Sequence, residues 1–276
     1  MKNTLTNCIL PILIFTISCN SPQEKAAETA SPTADSMKLV WSDEFDYTGL
    51  PDSTRWGYDV GGHGWGNNEL QFYTANRTEN ARVENGHLII EARRENWEKR
   101  EYTSARLITK GKGDWQYGRV EVRAKLPRGR GTWPAIWMLA STTPLNWPDD
   151  GEIDIMEHVG FAQGKIHGTV HTKKYNHIQG TQRGDTIRVD DCSENFHVYS
   201  VEWDSTRLQV AVDGNVYFTF DNEGSGYDAW PFDQPFHLLL NIAVGGNWGG
   251  QQGVDTTIWP QKMEIDYVRV YQKQKR

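Results

Sequence analysis

Three carboxylates, Glu152, Asp154 and Glu157, stand within the run Gly-Glu-Ile-Asp-Ile-Met-Glu-His-Val-Gly at 151–160. In a strand, side chains two apart share a face, so Glu152 and Asp154 point together while Ile153 and Ile155 point to the opposite layer. Strict alternation would then present Met156 rather than Glu157. A helix would rotate Glu157 away from Glu152, and β-branched Ile153 and Ile155 favour a strand. One extra residue, a β-bulge with Met156 unpaired, returns Glu157 to the face of the other two acids. Two long acidic side chains roughly 13 Å apart at Cα, leaning inward, would bring their carboxyl groups to about 5–6 Å. That separation suits a retaining displacement at an anomeric carbon, in which one carboxylate attacks and the other protonates the leaving oxygen. Asp154 would hydrogen-bond a neighbour and hold its proton, and two nearby charges would raise the pKa of Glu157. A cluster of three carboxylates could also hold one calcium ion. A solvated acidic strand is disfavoured by the flanking Trp, Pro, Gly and Ile.

The neighbouring segments bear on the same chemistry. Trp133 and Trp137 lie four apart, hence on one face of a strand just upstream of the acids. Flat indoles stack against the C–H face of a sugar ring, although a tryptophan at either position could instead be core. Asn67-Asn68-Glu69 and Tyr102-Thr-Ser-Ala-Arg106 place polar donors between strands, as hydroxyl recognition would require. Val244-Gly-Gly-Asn-Trp-Gly-Gly250 is expected as a loop in which glycine permits close backbone approach and Trp248 walls a cleft.

These residues need elements to hold them. From about Lys38 the chain breaks into short alternating runs separated by turn signals, with no long amphipathic helix. Arg119–Leu126, Arg207–Val212 and Met263–Tyr271 are examples, and Asn85-Gly86 and Asp213-Gly214 sit where hairpin turns should. About a dozen strands with no fixed repeat point to an all-β domain, one curved antiparallel β-sandwich with the groove on its concave face. Twelve Trp and 26 Gly among 276 residues fit a β-rich fold with tight turns and spare aromatic surface. A net charge of −7 argues against nucleic acid or anionic polymers as partners and leaves a neutral substrate as the natural one.

The N-terminus carries Lys2 and an apolar run from Ile9 to Ile17, too short to span a membrane as a finished helix. It resembles a bacterial lipoprotein signal. That resemblance implies residues 1–18 as signal peptide, lipidation of Cys19, and attachment to the bacterial envelope, at the outer membrane, by this anchor alone. Plain secretion after cleavage near Ser18 is the alternative. Residues 19–36 read as a flexible tether and 37–276 as the folded domain. Loss of Cys8 with the signal and lipidation of Cys19 would leave Cys192 with no intrachain partner, and no pattern of an obligate interface departs from a monomer.

The chain from about Leu39 to Gln272 resembles glycoside hydrolase family 16, specifically its bacterial laminarinase-like endo-β-1,3-glucanases. Trp41-Ser-Asp-Glu-Phe45, Asn67-Asn-Glu-Leu-Gln-Phe-Tyr-Thr74, Tyr102–Arg106, Trp133-Pro-Ala-Ile-Trp-Met-Leu139, Gly151–Glu157 and Asp266-Tyr-Val-Arg-Val-Tyr271 carry the resemblance. It implies a jelly roll, with Glu152 as nucleophile, Glu157 as acid/base and Asp154 as the assisting acid. It further implies groove roles for Asn68, Arg106, Trp133, Trp137 and His171, and a β-glucan partner without a catalytic cofactor. The residue at Met156 marks the bulged branch, which favours laminarin-like glucan over the lichenase type. One structural Ca²⁺ is implied on the convex side at Glu44, Gly86 and Asp266. Asp266 shares a strand face with Val268 and Val270, so either a cation or a hydrogen-bonded core aspartate would account for it. Mixed-linked glucan or galactan hydrolysis, a non-catalytic glucan lectin and a calcium-dependent structural module remain alternatives.

Overall fold

The computed structural model describes Met1 and residues 37–274. The expected signal, the tether and Cys19 lie outside the described residues.

Eighteen strands run through the described residues in chain order: β1 (Met37–Asp43), β2 (Gly57–Tyr58), β3 (Gln71–Tyr73), β4 (Ala81–Glu84), β5 (His87–Trp97), β6 (Arg100–Ser104), β7 (Arg106–Ile108), β8 (Asp114–Trp115), β9 (Gly118–Lys125), β10 (Thr132–Ala140), β11 (Glu152–His158), β12 (Lys165–His171), β13 (Arg183–Arg188), β14 (His197–Trp203), β15 (Arg207–Val212), β16 (Asn215–Asp221), β17 (Phe236–Val244) and β18 (Gln261–Lys273). Much of the excess over the expected dozen comes from β2, β3, β7 and β8, which are two or three residues long, too short to leave a periodic pattern.

One sheet has ten strands, ordered β16-β15-β14-β9-β18-β5-β6-β3, with β1 also on β18 and β4 on β5. The other has eight, ordered β13-β12-β11-β10-β17-β7-β2, with β8 on β17. Every pair is antiparallel, as expected of the sandwich, except β3 with β6, which run parallel. The C-terminal strand β18 is central: it pairs with β1, β9 and β5.

Local chemistry explains these elements. Val120, Val122 and Ala124 of β9 turn inward while Arg119, Glu121, Arg123 and Lys125 turn outward, as the period of two requires. The hairpins β4–β5 and β15–β16 turn on Asn85-Gly86 (φ 54° and 79°) and Asp213-Gly214 (φ 50° and 78°). Positive φ at both central residues is what a type I′ turn demands, and Asn, Asp and Gly tolerate it best. Between the sheets, Val120, Val122, Val201, Val268 and Val270 belong to one buried cluster with Ile136, Met138, Ile153, Leu238, Leu240 and Ile242. Each such side chain contributes about 1.5–3 kcal/mol by leaving water. Cys192 is buried as a free thiol.

Asp266 does not share the inward face of Val268 and Val270. The β9–β18 register shifts between Ile265 and Tyr267, so Asp266 lies in a bulge and its side chain, 30% exposed, pairs with Arg123.

Candidate active site

The site lies on the face of the eight-stranded sheet opposite the core. Alternation along β10 sends Ile136 and Met138 inward and leaves Trp133 and Trp137 half-buried on the other face. Along β11, Ile153, Ile155 and Met156 are fully buried, while Glu152 and Glu157 are half-open and Asp154 is 2% exposed.

The bulge lies where the chemistry needs it, with one correction. Against β10, Asp154 pairs with Trp137 and Met156 with Ile136, so Ile155 rather than Met156 is the residue without a partner. Against β12, Asp154 pairs with Thr169 and Glu157 with His167, and Ile155 and Met156 together oppose Gly168. The two-against-one count returns Glu157 to the face of Glu152 and Asp154. Gly168 suits the far side, since a Cβ there would come within 2.6 Å of the Tyr217 hydroxyl.

Each outer acid takes an indole donor. Trp147 Nε1 donates to Glu152 Oε2 at 2.8 Å, and Trp133 Nε1 donates to Glu157 Oε1 at 3.0 Å. His171, the cross-strand partner of Glu152, places Nε2 3.8 Å from Glu152 Oε1 and 3.3 Å from Asp154 Oδ2. Burial, and then the neighbouring Asp154, push the Glu152 carboxyl up to about 8, against the pull of His171 and the Trp147 donor. Burial and the charge of Glu152 push Glu157 up to about 7, and Asp154 is raised well above the usual range by burial and Glu157. Three carboxyls so placed cannot all ionise near neutral pH, so the cluster retains protons.

Asn68 lies farther along the groove: its Nδ2 donates to Asn247 Oδ1 at 2.8 Å, tying its loop to the short helix α1 (Gly246–Gly249). That helical turn replaces part of the expected loop. It packs tightly, for a Cβ on Gly249 would lie 2.9 Å from Trp133 Cβ. Trp248 meets Trp133 edge-to-face at 5.5 Å and His167 at 4.9 Å, forming one wall beside Glu157. Arg106 sits over the rings of Trp65 at 4.7 Å and Trp137 at 4.6 Å, with Nε 2.9 Å from Asp59. Trp65, Trp147, His167 and Asn241 are site residues that the motifs did not single out. Trp147 had a local signal, lying between Pro144 and Pro148 five residues before Glu152.

Glu44 follows the end of β1, Gly86 lies in the β4–β5 turn and Asp266 lies on β18, all on elements of the larger sheet. Glu44 and Asp266 offer the hard oxygens calcium takes. Glu44, however, is held by Arg269 through hydrogen bonds of 2.9 and 2.8 Å, and Asp266 by Arg123 at 2.6 Å. An ion there must displace both guanidinium groups.

The family model for glycosyl hydrolases family 16 matches residues 68–269. The chain belongs to that family. This family 16 chain is 61% identical over 249 residues to a beta-glucanase of Rhodothermus marinus, covering 87% of each. It superposes on the X-ray structure of the laminarinase from the same organism with a TM-score of 0.85 at 60% identity, covering 87% of this chain and 99% of that one. SCLam, described as a non-specific endo-beta-1,3(4)-glucanase from family GH16, matches with a TM-score of 0.82 at 54% identity, over 86% of this chain and 92% of the other. The family 16 chain is thus a glycoside hydrolase on a jelly roll of two packed sheets.

Proposed function

We propose that this enzyme cleaves internal β-1,3 linkages of a laminarin-like glucan with retention at the anomeric carbon. The observation that carries the reading is the bulge that sets Glu157 beside Glu152 and Asp154, with an indole donor on each outer acid. The Rhodothermus marinus laminarinase supports the substrate class.

In this reading Glu157, kept protonated up to about pH 7 by burial and by Glu152, gives its proton to the glycosidic oxygen. Ionised Glu152 attacks the anomeric carbon, the C–O bond to the leaving sugar breaks, and a glycosyl ester forms. Glu157, now a carboxylate, takes a proton from water as the water oxygen displaces Glu152, which restores both groups. Asp154 neighbours Glu152 on the same strand face, and its charge helps to raise the Glu152 carboxyl. For Glu152 to attack, it must be the ionised partner while Asp154 holds the proton, and the Trp147 indole, which donates to Glu152 alone, favours that distribution. Trp133, Trp137 and Trp248 offer ring faces and edges to the sugars, and Asn68 and Arg106 polar groups.

Laminarin hydrolysis by the wild type and Glu152→Ser tests the reading: a loss of at least about a thousand-fold is expected, and equal rates would overturn it. Product analysis on laminarin, lichenan and agarose separates the linkages. Activity on mixed-linked β-1,3-1,4-glucan is the second reading, favoured by the likeness to SCLam.

Two further parts of the proposal stand apart from catalysis. Lipid attachment at Cys19 would tether the enzyme to the envelope, and intact-mass analysis of the membrane fraction checks it. A calcium ion at Glu44, Gly86 and Asp266 would join the ends of neighbouring strands of the larger sheet.

A further inference from the structure

We propose that Glu69 is a positioning residue of the groove, acting on the indole of Trp137 through Tyr73 and Asn241. Glu69 is 6% exposed and touches none of the three acids through a hydrogen bond. A directed relay begins at it. Trp137 Nε1 donates to Asn241 Oδ1 at 2.7 Å, Asn241 Nδ2 donates to the Tyr73 hydroxyl oxygen at 3.0 Å, and that hydroxyl donates to Glu69 Oε2 at 3.3 Å.

The polarity of this relay is set at its indole end. An indole N–H only donates, so Asn241 must offer Trp137 its carbonyl oxygen. The Asn241 amide nitrogen then faces Tyr73, and the tyrosine oxygen must accept. Its single hydrogen is therefore committed elsewhere, to a group that only needs to accept, and the carboxyl oxygen Oε2 of Glu69 is such a group. Turned the other way, Asn241 would set its N–H against that of the indole.

The anchor is itself fixed. Gln71 Nε2 donates to Glu69 Oε2 at 2.6 Å, and Gln71 Oε1 accepts the Val244 N–H at 2.7 Å, joining Glu69 to the end of β17. Trp137 in turn is the β10 partner of Asp154 and carries Arg106 over its ring. The relay thus holds the ring plane beside the acids, where a sugar would stack, without Glu69 reaching the sugar.

This inference rests on the glucanase reading for its kinetic readout only. The tests use Glu69→Gln, which keeps shape but can turn a donor toward Tyr73, together with Tyr73→Phe, Trp137→Phe and the Tyr73→Phe/Trp137→Phe pair. Glu69→Gln and Tyr73→Phe should each raise KM for laminari-oligosaccharides about tenfold, with kcat held within about threefold. Both should shift the Trp137 indole N–H resonance, assigned by its loss in Trp137→Phe, while the remote indoles stay in place. The double variant should be no worse than Trp137→Phe alone, because both break one relay. Multiplying losses, or an unmoved Trp137 resonance in Glu69→Gln, would overturn the proposal. If the wild type leaves laminarin intact, the substrate reading fails while the resonance still decides the relay.

Discussion

The indole N–H of Trp147 reaches Oε2 of Glu152 across 2.8 Å, from a loop just ahead of the strand that carries the acid. A carboxyl that burial and Asp154 drive to about 8 is thereby drawn back toward the ionised form that can attack.

Trp147→Phe keeps the ring and removes the donor. A hydrogen bond to a charged group contributes about 1.5–3 kcal/mol, so kcat should fall roughly 10- to 100-fold. Without the donor Glu152 ionises at higher pH, so the ascending limb of the pH–rate profile should move upward. A profile that keeps its shape would show that Trp147 serves only packing.

Glu157→Gln should stabilise the fold in alkali. Burial and the charge of Glu152 push the native carboxyl up to about 7 from its ordinary 4.5, so between those values the folded state holds more protons than the unfolded chain. Stability therefore declines as pH rises through this window, and the cost is complete above it. Removing the group should raise stability at pH 8 by about 1–3 kcal/mol, or roughly 3–8 °C in Tm, and leave it unchanged near pH 4. Melting curves at the two pH values decide this, and an equal shift at both would contradict it.

The bulge can be edited. Deleting Ile155 leaves Glu-Ile-Asp-Met-Glu, whose regular alternation still aims the last acid into the groove and pairs Met156 with Gly168. Deleting Ile155 and Met156 together sends Glu157 into the core. Laminarin assays should find more activity in the single deletion than in Glu157→Gln, and the double deletion should not yield folded protein. A dead single deletion of native melting behaviour would mean that the bulge sets the spacing of the acids and not merely their face.

Calcium should raise Tm by a few degrees at millimolar concentration, and Asp266→Asn should abolish the increment, since ligand binding to the folded state alone stabilises it. Identical melting in calcium and in chelator would instead leave Arg123 and Arg269 as the permanent partners of Asp266 and Glu44.

The acids, the bulge and the two hairpins were legible because each is local: alternation breaks within six residues, and Asn85-Gly86 and Asp213-Gly214 advertise their backbone angles. What stayed hidden depends on distant pairing. Which residue of Ile155 and Met156 loses its partner is settled by β10, and Asn241 meets Trp137 from a strand 104 residues away. Glu69 was visible as a polar residue between strands, yet its burial follows from the fold around it. Asp266 misled because a second bulge, in β18, breaks the alternation that the apolar pattern suggested.

The placement of β18 governs how the protein is made. Strands β1, β9 and β5 all complete their ladders against it, so the ten-stranded sheet cannot close until β18 has joined strands far earlier in the sequence. Long-range pairing of this kind is slow and leaves edges unpaired meanwhile. A variant truncated before Gln261 leaves β1, β9 and β5 without their shared partner, and is expected to be a substrate for proteases instead of a smaller enzyme.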